Sequence, residues 1–326
     1  MKNLSVHCLC LGNEEATIRT LTAAQSYAKQ LIAGDTANSD RLKHFCTTNR
    51  IRYVKVSVNE SLAECQNQLV ACSDMPWHLF LQPGEEVNNP GKISEITGNE
   101  PAVYRLPCLQ GDWLNKEVRL FHRAVGCSFS NPVFESVDYD KAQFLEAYVT
   151  GGTGGLHAKA HDLLTIWSMK QPLSIQPRYY TTLTYLMEGK QTAFVNAAQS
   201  YLFADPVPST SNIMLRYYLA CSLMNKPHTR KEAARHVMTC LAANLLMAEF
   251  WCLLGDMCYV ESSFDRAKAF YRNGMVLGSR RRKDDHWPMH VTKYKKHPET
   301  LIAACDEAAA ETFKFKAGSS RGSAAS

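Results

Sequence analysis

Nowhere does the chain approach the roughly 18 consecutive apolar residues that a membrane-spanning helix needs, so no membrane span is expected. The apolar run Leu4–Leu11 is too short for a signal peptide and lacks a small-residue cleavage site, so a cytoplasmic protein is expected. Neither sign of charge dominates, with a net charge of +5. Metal-binding cysteine spacing is missing, because Cys8-Leu9-Cys10 is not a zinc pattern. The twelve cysteines, without a secretory signal, read as reduced thiols. Cys221, Cys240, Cys252 and Cys258 sit in apolar surroundings and read as core packing. The run Gly151-Gly152-Thr153-Gly154-Gly155 has neither the Lys-Ser/Thr ending nor the preceding strand of a phosphate loop, and reads as a flexible linker.

What is present suits two domains: 326 residues, 45% of them hydrophobic. Residues 1–100 alternate short apolar runs with helical patterns, as a βαβ arrangement does. Leu4–Leu11 runs into Gly12-Asn13-Glu14-Glu15, and Gln30–Gly34 into Asp35-Thr36-Ala37-Asn38-Ser39-Asp40. Ile51–Val56 alternates like a strand, and Ser61-Leu62-Ala63-Glu64-Cys65-Gln66-Asn67 opens a helical pattern. Trp77-His78-Leu79-Phe80-Leu81 runs into Gln82-Pro83-Gly84-Glu85-Glu86. Ala102–Leu106 and Val118–Phe121 read as a strand pair about the turn-prone Gly111-Asp112. Each of the first apolar runs ends in polar residues, at the sheet edge where ligands of open α/β sheets bind.

This order resembles the nucleotide-sugar domain of family-2 glycosyltransferases of the GT-A fold, over about 140 residues. Glu117-Val118-Arg119-Leu120-Phe121 and Phe134-Glu135 resemble that family's Val-Arg-Leu-Phe block and His-Glu pair. The resemblance implies an inverting transfer of a sugar from a nucleotide-sugar donor, such as a UDP-sugar. Asn13, Glu14, Asp35, Asp40, Gln66 and Gln82 would border the donor, with Asp35 on the base. Glu135 would be the catalytic base. Phe134 stands where the family has His, an apolar neighbour that tends to raise a carboxylate pKa. Gln82 and Gly84 replace both aspartates of the family's Asp-x-Asp motif, which holds Mg²⁺ or Mn²⁺ on oxygen ligands. Glu85 and Glu86 are the carboxylates left to serve a metal. Asp35 and Asp40 also suit helix capping and turns, Pro83-Gly84 suits a plain turn, and Glu135 an exposed strand end.

Beyond residue 155 the pattern becomes helical. Trp251, Leu254, Gly255, Ala267 and Tyr271 fit the tetratricopeptide signature, and Tyr217, Ala220, Cys221, Ala233 and Val237 occupy the same slots about 34 residues earlier. Leu183, Leu186, Ala197, Ala198 and Tyr201 fit less closely. The expected architecture is therefore an α/β GT-A nucleotide-sugar-binding domain (1–150), then an all-α tetratricopeptide-like domain (156–278). A basic loop, terminal helix and disordered tail (279–326) complete it. Family-2 enzymes with such helical C-terminal domains are a recognised layout.

The acceptor would be a hydroxyl or thiol on a peptide, protein or saccharide, with homodimerisation through the repeats as another use of that surface. Arg280–Lys283 and Lys293–Lys296 bracket His286, Trp287 and His290. This cluster reads either as a solvated loop or as a contact for nucleic acid, which keeps a modified DNA base in view as acceptor. The alternative to an enzyme is a degenerate transferase domain kept as a scaffold, with the repeats binding a partner.

Overall fold

The computed structural model describes residues 3–322 apart from Glu60, Asn99, Phe134, Asp138, 153–157, Lys283 and Lys295, with side chains described as far as Glu311. The chain divides into two compact units, 1–188 and 189–326.

The first unit comprises β1 (Leu4–Cys10), α1 (Glu14–Ala24), β2 (Gln30–Asp35), α2 (Asp40–Thr48), β3 (Arg52–Lys55), α3 (Leu62–Ala71), β4 (Trp77–Leu81) and β5 (Glu85–Asn88). It continues with α4 (Gly91–Ile96), β6 (Val103–Gln110), β7 (Trp113–His122), β8 (Gln143–Phe144), β9 (Tyr148–Gly151), α5 (Ala160–Lys170) and α6 (Gln176–Met187). The strands form one mixed, curled sheet in the order β3-β2-β1-β4-β7-β6-β9-β5, with β8 beside β6. β3, β2, β1 and β4 run parallel, whereas β7 is antiparallel to both β4 and β6.

β1 and β4 are buried at every position. Central strands covered on both faces read as continuous apolar runs, which is why these segments stand out in the sequence. The period of two sorts their side chains. Leu4, Val6, Cys8 and Cys10 join Leu79 and Leu81 in a core with α1 and α2. Leu9 and Ile32 pack with residues of α3 and α5, and Phe80 with Phe121 and Phe129. Burial pushes the Cys8 and Cys10 thiols up, and Cys46 to about 11, away from the reactive thiolate.

The second unit holds α7 (Gln191–Ala204), α8 (Thr210–Leu223), α9 (Arg230–Ala243), α10 (Ala248–Val260), α11 (Phe264–Gly278) and α12 (Lys296–Gly322). α8 with α9 and α10 with α11 are antiparallel hairpins. Cys240 faces Ile213 while Arg216 faces His236; Gly255 abuts Tyr271 while Gly278 abuts Ala248. The slots marked by the helical signature are the crossing points: Ala220, Ala233, Val237, Ala267 and Tyr271 are buried. Trp251 is only half-buried, stacked on Phe270 with its indole N–H on Leu245 O at 2.9 Å.

Three expectations change. The division between units falls at 188/189, because α5 packs through Ala160, Leu163, Leu164 and Trp167 into the α/β core. The linker glycines lie partly outside the described residues, but Gly151 ends β9 and approaches Gly84 so closely that a Cβ there would lie 2.4 Å from Gly84 O. The segment from Phe315 to Gly322, expected as a disordered tail, continues the backbone of α12.

Candidate functional site

The polar ends of β1, β2 and β4 converge at one edge of the sheet, where each loop is fastened by local hydrogen bonds. After β1, Asn13 caps α1, its Oδ1 accepting from Ala16 N at 3.1 Å. Glu14 is half-buried in the first turn of α1. After β2, Asp35 turns inward and is fully buried. Its Oδ1 accepts from Ala37 N and Asn38 N at 2.9 and 3.2 Å, and its Oδ2 from Ser39 N at 2.6 Å and the Tyr53 hydroxyl at 2.9 Å. Burial and the bond to Asp35 push the Tyr53 hydroxyl up to about 12. Asn38 takes a left-handed φ of 59° to close this turn. Ser39 then caps α2 through Leu42 N, and Asp40 stands exposed as the first residue of that helix. Asp35, expected on a nucleotide base, therefore serves the loop: four donors of its own chain saturate both oxygens.

After β4 the turn 82–85 is pinned to α1. Gly84 N donates to Thr20 Oγ1 at 2.8 Å and to Ala16 O at 3.1 Å. The Thr20 hydroxyl reaches Glu85 O at 3.0 Å. Gln82 faces outward, with Oε1 accepting from Gln110 Nε2 at 3.5 Å. Glu85 points inward, its side chain 1% exposed. Its Oε2 accepts from Gln82 N at 2.6 Å and from Arg119 Nη1 at 3.2 Å, and its Oε1 from Arg119 Nη2 at 3.1 Å. Arg119 also meets Glu117 Oε2 at 2.7 Å. Burial raises the Glu85 carboxyl, and Arg119 opposes that shift.

These residues do not fit the divalent ion expected here. Gln82 and Gly84 supply no carboxylate, Glu85 is spent on a guanidinium that already carries the positive charge, and Glu86 faces solvent by itself. Among the described residues no three acidic, histidine or cysteine side chains gather at a point that would hold a metal.

Gln66 and Glu135 are predicted site residues whose side chains meet. Gln66 Nε2 donates to Glu135 Oε1 at 3.2 Å, tying α3 to the segment after β7. Burial raises the Glu135 carboxyl, and the bond from Gln66 offsets part of that shift. Phe134, the apolar neighbour expected to raise it, lies outside the described residues. Asn67 extends the tie, exchanging hydrogen bonds with Phe129 N and O at 2.8 and 3.0 Å. An open cleft of about 380 Å³ beside the N-terminus of α3, walled by Ser61, Glu64, Asn131, Trp167 and Lys170, includes none of the predicted site residues.

In the second unit one residue of the basic cluster, Arg281, is folded inward, while Arg280 and Arg282 stand exposed. Arg281 binds Asp285 at 2.9 Å, Pro288 O at 3.1 Å, Trp287 O and the Tyr294 hydroxyl. Arg282 pairs with Asp284 at 2.6 Å. Glu249, fully buried, accepts from His290 N and the Tyr294 hydroxyl at 2.6 and 2.8 Å. Glu249 of α10 and Arg281 both hold the Tyr294 hydroxyl, which folds residues 281–294 against α10, while the exposed Arg282 is paired with Asp284; Lys283 and Lys295 lie outside the described residues.

Sequence reasoning missed Arg119 and Tyr53 as partners of Glu85 and Asp35, the buried carboxylates of the first unit. A lone arginine in the apolar run Val118–Phe121 was the available signal for the first.

No family model and no curated protein matches the chain. Among solved structures it is similar to MamA 41-end from Desulfovibrio magneticus RS-1, with 14% identity over 49% of this chain and 88% of that one at a TM-score of 0.35. It is similar also to TTC0263, a thermophilic TPR protein in Thermus thermophilus, with 14% identity over 48% and 81% of the two chains at 0.32. A nucleotidyl transferase from Methanothermobacter thermautotroptrophicus matches 37% of this chain and 71% of its own, with 14% identity at 0.28. Likeness of this size assigns neither a family nor an activity. Among the described residues no helix is long and apolar enough to cross a membrane.

Proposed function

We propose that this chain is a partner-binding protein. Its α/β unit keeps the layout of a nucleotide-sugar transferase without the donor chemistry, and its tetratricopeptide-like hairpins offer a surface to a peptide segment of another protein. One observation carries the proposal. Asp35 and Glu85, the buried carboxylates of the first unit, are both saturated by donors of the chain itself. Freeing either for a ligand would leave buried donors or a buried cation unpaired, which is costly. Selection of a displayed peptide library against the full chain tests the binding role. An enriched peptide that protects amides of α8–α11 from exchange supports it; no enriched peptide, together with sugar release from UDP-sugars, overturns it.

A second reading is favoured by the Gln66–Glu135 contact: metal-independent inverting transfer, with Glu135 as base. A half-buried carboxylate with a raised pKa, oriented by an amide, suits proton abstraction from an acceptor hydroxyl or thiol. Turnover of a UDP-sugar without metal, abolished by Glu135→Gln, is the result that would favour it.

A further inference from the structure

The α/β unit encloses a polar pair that the candidate site does not use. His7 in β1 and His78 in β4 are both fully buried. His7 Nε2 lies 3.0 Å from His78 Nδ1. Their outer nitrogens, His7 Nδ1 and His78 Nε2, find no partner among the described residues. Neither does the hydroxyl of Ser5, which stands opposite His78 in the strand register. Aromatic rings wall the pair. His7 stacks on Phe80 at 4.6 Å, and His78 tilts against Phe121 at 5.5 Å. Phe129 meets Phe80 edge-on at 4.4 Å.

This aromatic box carries the elements of the Gln66–Glu135 contact. Ala63 and Val70 of α3 pack on Phe80, Phe121 and Phe129. Asn67 holds the Phe129 backbone, and Gln66 holds Glu135. The charged and titratable groups acting on the pair are Arg123 on both rings and His122 on His78. Both are cationic or become so in acid, and they oppose a further positive charge. A first proton would place a charge among aromatics with these cations nearby. A second would make both facing nitrogens donors and abolish the bond between the rings.

We propose that the His7–His78 pair is a pH-sensitive switch, in which proton uptake releases α3, and with it Phe129 and Glu135, from the sheet. Burial, reinforced by His78 and then Arg123, holds His7 well below the ordinary histidine range, and burial with Arg123 and His122 holds His78 down to about 4. The closed form is therefore fully favoured above 6.5 and loses ground as pH falls towards 4, because the open form takes protons that the closed form refuses. Each histidine that charges only in the open form raises the opening constant roughly tenfold per pH unit. The raised Glu85 and Glu135 carboxyls act in the opposite sense, since they take protons more readily when closed.

Amide hydrogen exchange on the full chain, at about pH 7.5 and about pH 5 and corrected for intrinsic rates, reads the opening directly. Peptides of α3 and those holding Phe129 and Glu135 should open at least about tenfold more at the lower pH. The variant carrying His7→Leu and His78→Leu together should lose that response. His122, at the end of β7, is also lowered and stays in the double variant, so a response that it carried would survive there; the lowered His236 and His297 belong to α9 and α12 of the second unit and report in separate peptides. An acid response unchanged in the double variant, or absent from α3 in the native chain, overturns the switch. If the double variant does not fold, ring-proton NMR of the native chain decides. Both rings titrating below about pH 5 sustains the proposal, and either titrating near its ordinary 6.5 refutes it.

Discussion

Arg119 on β7 grips Glu85 on β5 through two hydrogen bonds of 3.1 and 3.2 Å, with 7% and 1% of the two side chains exposed. This pair stands where the sequence resemblance placed metal-ligating carboxylates, and with the bond from Gln82 N it occupies both Glu85 oxygens. Removing one partner strands a buried charge. Arg119→Ala is predicted to cost the first unit about 3–5 kcal/mol, whereas Glu85→Leu with Arg119→Met should recover most of the loss. Urea midpoints of the single and double variants check this.

Asp35→Ala removes the acceptor of three backbone amides and the Tyr53 hydroxyl. The predicted cost is about 2 kcal/mol or more, because bonds to a charged acceptor are the strong ones. Tyr53→Phe spares the amides and should cost only about 1 kcal/mol. A thermal melt of Asp35→Ala that matches the native chain would contradict the loop-closing role.

In the second hairpin, a Cβ at Gly255 would lie 2.3 Å from the Tyr271 ring. Gly255→Ala should therefore overpack the α10–α11 crossing and cost about 1–3 kcal/mol. Ala267→Arg, at a fully buried position, should unfold the hairpin outright. Far-ultraviolet circular dichroism during denaturation reports both.

Arg281→Ala is predicted to destabilise residues 281–294 and not to alter DNA affinity, since the guanidinium is already occupied by Asp285 and Tyr294. Binding of a DNA duplex should be weak at low salt and lack a steep salt slope, because few paired arginines can replace phosphate counterions. A slope of several ions, lost in Arg281→Ala, would reverse this assignment.

Much of the fold was legible because its signals are local. Leu4–Cys10, Gln30–Asp35 and Trp77–Leu81 are mostly apolar, as buried parallel strands tend to be. Gly255, Ala267 and Tyr271 announce a close helix crossing by size alone. The candidate site was less legible, because the same residues serve opposite purposes. An aspartate after a strand followed by Thr-Ala-Asn-Ser suits a nucleotide contact and a closed turn equally, and only the Tyr53 hydroxyl and the backbone amides distinguish them. The Glu85–Arg119 pair joins residues 34 apart, through a register that no local pattern encodes. α5 looked like the start of the helical domain, but its apolar face belongs to the α/β core.

Titration calorimetry of the full chain with UDP and UDP-sugars, with and without Mn²⁺, decides whether the closed carboxylates leave room for a donor. With Asp35 and Glu85 closed by their own chain, no metal-dependent heat is expected, and dissociation constants should be no tighter than about 1 mM, a binding free energy of about 4 kcal/mol. Micromolar binding that requires Mn²⁺ and is abolished by Asp35→Ala, in a variant that remains folded, would contradict it.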